Sequence, residues 1–179
     1  MSKDFDLETE IRDLAARRDI HKALMRYMRG QDRLDAKLHL SAFHADAYVD
    51  CGLMDGSAAE FVEFAQGLLA DFEASQHIIG QVDLDVKGDR ATGEVYFYAW
   101  HRIKEEGEPK DLIVAGRYVD EYACRDGDWR ILRRRELIDW ARTDPAADNF
   151  LAQNAFLPRG ARHGEDFSQK RNWPTWPKS

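Results

Sequence analysis

The sequence has little of several things, and each shortage narrows what the chain can do. It holds two cysteines, Cys51 and Cys124, far apart and without the spacing of a metal-ligand pair. Positive charge is in the minority: 26 Lys and Arg stand against 33 Asp and Glu, for a formal net charge of -7. That balance argues against nucleic acid or an anionic membrane surface as a partner. No apolar run approaches the ~18 residues that a membrane span needs. The opening "MSKDFDLETE" is acidic and polar, without the apolar core of a signal peptide. Internal repeats and low-complexity stretches are absent as well. These shortages together describe a reduced, cytoplasmic protein. What is present is a hydrophobic fraction of 44% in 179 residues, enough for one sizeable core. The expectation is one globular domain over residues 1–144 and an extended arm over residues 145–179.

Apolar residues fall at helical spacing from Leu7 to Met28, through Ile11, Leu14, Ile20, Leu24 and Tyr27, and Gly30 ends the run. A short helix is predicted over 35–43, a brief strand over 47–51, and a third helix after "DGS" with Ser57 as its cap. That helix carries a stripe of Phe61, Phe64, Leu68, Leu69 and Phe72. From His77 onward the period changes to two. Strands are predicted over 77–87, 91–104, 111–124 and 129–141, joined by "KGDR", "EEGEP" and "RDGD", each with a turn-forming glycine. Helices first and antiparallel strands afterwards indicate an α+β fold, with helices packed on one face of a curved sheet.

Six histidines are available for chemistry. His21 and His39 lie among charged helical neighbours and are expected at the surface. His44 follows a helix end, where it can cap carbonyls, and His163 is in the arm. His77 and His101 differ, because both sit in strands of one predicted sheet. In "GEVYFYAWHR", Val95, Phe97, Ala99 and His101 share one face, while Tyr96, Tyr98 and Trp100 share the other. If strands 77–87 and 91–104 form a hairpin, His77 and His101 meet at its open end. Asp32, in "RGQDRLD", follows the first helix, where its residue type alone indicates turn chemistry.

The stretch "RRDIHKALMRYMRGQDRLDAKLHLSAFHADAYVDCG" resembles the opening of SnoaL-like proteins of the nuclear transport factor 2-like (NTF2-like) superfamily. "SQHIIG" resembles the histidine strand of scytalone dehydratase and its relatives, and "GEVYFYAWH" places His101 where that family carries a second histidine. The combination Asp32, His77 and His101 is similar to that of the superfamily's elimination enzymes. The resemblance implies a cone: a bent antiparallel sheet wrapped around a long N-terminal helix and two shorter ones, enclosing a deep pocket. It implies His77 as general base, Asp32 as the carboxylate orienting it, and His101 as the group that holds a leaving hydroxyl and returns a proton to it. Two tyrosine positions of scytalone dehydratase are Gln31 and Cys51 here, so Tyr27 and Tyr118 are the phenols left to serve. By the family pattern Arg134, in "RRRE", faces the pocket, where it can hold an oxyanion. Tyr27, Met28, Cys51, Phe97, Tyr118 and Arg134 are the candidate substrate-contacting residues.

The function expected is a cofactor-independent lyase, with no metal, acting on a hydrophobic aromatic or polycyclic small molecule by dehydration or related C–C cleavage. Deformylation of a lignin-derived diaryl compound and ring-closing isomerisation need the same acid–base set. A non-catalytic ligand carrier and a metal enzyme with two histidines and one carboxylate remain as other classes. A homo-oligomer is expected, a trimer ahead of a dimer, with the aromatic face of Tyr96, Tyr98 and Trp100 as its surface.

Overall fold

The computed structural model describes residues 6–173. Helix α1 spans Leu7–Asp32 and begins where the Asp6 carboxylate accepts the Glu8 N–H. Its buried stripe is Ala16, Ile20, Ala23, Leu24, Tyr27 and Met28, whereas Leu7, Ile11 and Leu14 stay exposed. The expectation that Gly30 ends this helix is corrected: α1 runs through it. A Cβ at Gly30 would lie 2.5 Å from the His39 Cα, so the glycine is there to let the next helix lie against α1. That helix, α2 (Ala36–Leu40), is shorter than expected, and strand β1 (Phe43–Asp50) starts earlier. Strand β2 (Asp55–Ser57) leads into α3 (Ala58–Ala70), whose N-terminus is a capping box between Ser57 and Glu60. On α3 the buried residues are Ala58, Phe61, Val62, Ala65 and Leu69; Leu68, expected inside, is exposed.

Four long strands follow: β3 (Ala74–Lys87), β4 (Arg90–Glu105), β5 (Glu108–Arg125) and β6 (Asp128–Pro145). Two of the hairpin turns, Glu106-Gly107 and Asp126-Gly127, have positive φ at both residues, the geometry that matches strand twist. The sheet has six strands in the order β2-β1-β6-β5-β4-β3. Its pairings are antiparallel, as expected, except one: β1 runs parallel to β6. The last strand inserts between β5 and β1. Bulges between Ile79 and Val82 on β3, and opposite Ala115-Gly116 on β5, bend the sheet around α1. At Gly116 a Cβ would meet the Leu137 carbonyl oxygen at 2.1 Å, so the bulge requires glycine.

The inner face is ordered in rows by strand register. Leu84, Gly93, Asp120 and Arg134 form one row; Val82, Val95, Tyr118 and Glu136 form the next. With Tyr27, Phe43 and Phe61 they build the core against α1. The face is not filled throughout. Val95 and Tyr118 are fully buried, yet Val114 and Glu136, on central strands and on the same face, are only half-buried. A hollow that solvent reaches therefore opens on this side of the sheet.

Beyond Pro145 the chain is not merely extended, as expected of the arm. It forms two short helices, α4 (Asn149–Gln153) and α5 (Phe167–Lys170), and folds back on the body. The His163 N–H donates to the Arg33 carbonyl at 2.9 Å. Of the two Trp-Pro pairs, Pro174 and the second pair lie outside the described residues. Among the described residues no helix is long and apolar enough to cross a membrane.

Candidate active site

The last turn of α1 delivers Asp32 to the start of β3. Its carboxylate accepts the His77 backbone N–H at 3.1 Å to each oxygen, and the ring Nδ1 at 2.7 Å. Main chain and imidazole are thus held by one anion, which fixes the rotamer of His77. With Nδ1–H donating to Asp32, the proton is committed to that nitrogen and Nε2 keeps a free lone pair. Both side chains are nearly out of water, at 6% and 13% exposure. Charge-assisted bonds of this kind are the stronger ones, each worth about 1.5–3 kcal/mol.

His101 stands beside them on β4. The register puts Ser75, not His77, directly opposite it, but the two rings still meet edge-on at 5.1 Å. Phe72 closes the other side at 5.3 Å. Burial, then the nearby His77, pushes the His101 imidazole down to about 4, so it is neutral at neutral pH. Its Nδ1 is buried without a partner among the described residues.

At the deep end of the cone Arg134 is completely buried. Its Nε and Nη2 donate to the two oxygens of Asp120 at 2.8 and 2.6 Å, and the Tyr122 hydroxyl donates to the same carboxylate at 2.5 Å. The guanidinium lies over the rings of Tyr27 and Tyr118, 4.2 and 3.9 Å from their centroids. Its charge is therefore taken by Asp120, and only Nη1 is left without a partner. Burial raises the Tyr27 phenol to about 12 and that of Tyr118 well above its ordinary value, so both stay protonated. Phe97 stacks on Tyr118 at 4.5 Å, and Met28 is buried in the same core. Cys51 packs at its margin, in the turn where its N–H donates to the Met54 carbonyl.

Three groups here were not singled out from the sequence. Asp120 lies between Tyr118 and Tyr122 on one face of β5, and a carboxylate with that parity needs a buried cation. His39, expected at the surface, is wholly buried among Tyr27, Phe43 and Phe61, and burial pushes it down to about 3. Glu136 was hidden by a register shift between Glu121 and Tyr122. Counted in twos from Trp129 and Ile131, Arg133 and Arg135 would point inward; the shift turns Arg134 and Glu136 inward instead. Burial raises the Glu136 carboxyl to about 7, against the opposing pull of Arg134 and His77.

Among the described residues, no His, Cys, Asp and Glu side chains gather in threes as metal ligands. A groove of about 590 Å³ has Gly93, Asp120 and Arg134 of the inner row among its lining residues, together with outward-facing neighbours. Its rim mixes Asp83, Asp85, Glu94 and Glu121 with Arg133 and Arg135, and it includes neither Asp32 nor a histidine.

Comparison with known proteins follows the same line. An uncharacterized protein of Mycobacterium tuberculosis (strain ATCC 25618 / H37Rv) is 25% identical over 130 residues, covering 70% of this chain and 87% of its own length. The hexachlorocyclohexane dehydrochlorinase LinA-type3 of Novosphingobium barchaimii LL02 superposes with a TM-score of 0.67 at 19% identity, over 78% of this chain and 95% of that one. A candidate scytalone dehydratase of Novosphingobium aromaticivorans DSM 12444 gives a TM-score of 0.66 at 20% identity, over 75% and 91%. Identities this low establish a common fold. The family whose pattern matches is the SnoaL-like domain, over residues 12–135, more than half of the sequence. The chain belongs to the SnoaL-like family.

Proposed function

We propose that the protein is a cofactor-independent lyase acting on a hydrophobic, aromatic or polycyclic small molecule, with His77 as the general base. The observation that carries this reading is the double hold of Asp32 on His77, through the ring at 2.7 Å and the main chain at 3.1 Å. A carboxylate on Nδ1 leaves Nε2 as the proton acceptor and stabilises the imidazolium that forms. The neutral His101 holds the departing group by a hydrogen bond. The apolar body of the substrate lies against the half-buried inner face at Val114, with the buried Tyr27, Phe97, Tyr118 and Arg134 packed behind that wall. Fold likeness to a dehydrochlorinase and to a candidate dehydratase supports elimination as the reaction class. The same reading places the protein in the cytoplasm, where the free cysteines Cys51 and Cys124 stay reduced. It also makes the protein a homo-oligomer, a trimer by preference.

The test is a panel of aromatic and polycyclic alcohols and halides, scanned for a new conjugated chromophore. Turnover should fall by about 10²–10⁴ in His77→Ala, with ligand affinity largely kept. A protein that binds members of the panel but turns over none is a carrier, and the proposal is then wrong.

A further inference from the structure

Glu136 belongs to no pairing that the fold requires. Its carboxyl makes no hydrogen bond or ion pair within the described residues, although it sits on a central strand and faces inward. Tyr118 is its register partner on β5, and Arg134 precedes it by two residues on β6. On the parallel strand β1, Val49 is opposite Arg134, which sets Cys51 beside Glu136 on the same face. His77 acts on its charge, and it acts in turn on Tyr27 of α1. Behind this first ring stand Asp120 with Arg134, His39 with Tyr27, and Asp32 and His101 with His77. A carboxyl half-open to a hollow and unclaimed by any neighbour is free to meet whatever occupies that hollow.

We propose that Glu136 is a second acid–base residue of the site, entering the reaction protonated and giving its proton to the departing group. The inference rests on His77 being the base. The two groups then work from opposite walls. His77 Nε2 takes a proton from a substrate carbon, and the C–H electron pair forms the new π bond. The bond to the leaving oxygen breaks, and that oxygen takes the Glu136 proton as it departs, as water or as an alcohol. Imidazolium and carboxylate remain, and one proton passed between them through solvent restores the starting state. The balance closes without a redox partner. Burial supports the assignment, because it holds the carboxyl neutral up to about pH 7. His101, neutral in the same range, can hold a leaving group but has no labile proton to give. The site as proposed is thus matched to leaving groups that need a proton.

Leaving-group dependence tests this on two aromatic probes that open by the same base-driven step, benzisoxazole and nitrobenzisoxazole. The nitro compound releases a weakly basic phenoxide that departs unaided; the parent releases a basic one that gains from an acid. His77→Ala should remove turnover of both. Glu136→Gln should slow the parent by about tenfold or more and leave the nitro compound nearly unchanged. In the wild type, turnover of the parent should decline above about pH 7, and that alkaline limb should disappear in Glu136→Gln. Infrared difference spectra of the protein without ligand should show a protonated carboxyl titrating in the same range, absent from Glu136→Gln. Equal effects of Glu136→Gln on both probes, or no such infrared band near neutral pH, overturn the role of Glu136. Absence of any His77-dependent turnover of either probe overturns the base reading beneath it.

Discussion

At the residue scale the deep end of the cone is a charge problem solved locally. Arg134 and Asp120 are both at 0% side-chain exposure, so each exists as an ion only because of the other. Removing one partner leaves a bare buried charge. Asp120→Ala should cost about 3–5 kcal/mol in urea unfolding, and replacing both residues by apolar ones should cost less than that single change. A single variant near wild-type stability would show that water reaches Arg134. The buried titrating groups also set how stability varies with pH. His39 and His101 are pushed down from 6.5, to about 3 and about 4, so they are neutral when folded and take up protons when unfolded. Stability is then lost as pH falls from about 6.5 through this window. Glu136, raised to about 7, is protonated when folded over the range in which it ionises unfolded, and it works in the opposite direction. Two histidines against one carboxyl leave a net loss towards acid. His39→Phe should flatten the fall in the urea midpoint between pH 7 and pH 4, and an unchanged slope would contradict the burial assigned to His39.

Among the elements, the chain after β6 is tied to the site more closely than an extended arm would be. Arg162 donates to the carbonyls of Leu69 and Phe72 at 3.0 and 2.8 Å, and to the Ser75 hydroxyl at 2.9 Å. It thereby ties the end of α3 to the strand that carries His77, two residues beyond Ser75. Arg162→Ala should lower stability by about 1–3 kcal/mol and open the segment 71–75 to proteolysis; protection equal to the wild type would mean that the arm does not hold this corner. How much of this was legible in the sequence depends on periodicity. The four long strands and the Ser57 cap follow from alternation and cap chemistry, and their bounds moved by only a few residues. The hairpin that joins His77 to His101 was legible for the same reason. Gly30 was misread because a helix-ending glycine and a glycine for close packing have the same local signature, and only the approach of His39 separates them. The direction of β1 had no local signal, since parallel pairing with β6 is decided by residues far apart in the chain. Asp32 near His77 was suggested by family resemblance and not by spacing, and Glu136 was lost to one register shift.

On the scale of the whole molecule, the outer face of the sheet exposes a run of large apolar side chains. Tyr96, Tyr98, Ile138 and Trp140 are 40–50% exposed, and Trp140 meets Tyr98 edge-on at 6.3 Å. Trp100, grouped with them by alternation, is half-buried under the Arg102 guanidinium. The homo-oligomer proposed above is assigned to this patch, because an apolar surface on a chain with net charge -7 suits its own copy better than a polyanion. Light scattering after size exclusion should give a mass of three chains, and Tyr98→Asp with Trp140→Asp should reduce it to one. A wild-type monomer would remove this face from the account.

The arrangement of Asp32 on His77 is what the functional reading stands on, and a double-mutant cycle on turnover addresses it directly. Turnover of nitrobenzisoxazole, measured for the wild type, Asp32→Ala, His77→Ala and the double variant, should show both single variants strongly impaired. The double variant should be no slower than His77→Ala, because a carboxylate that acts only through the imidazole has nothing left to orient. Losses that multiply independently would mean that Asp32 and His77 act separately, and would contradict the dyad.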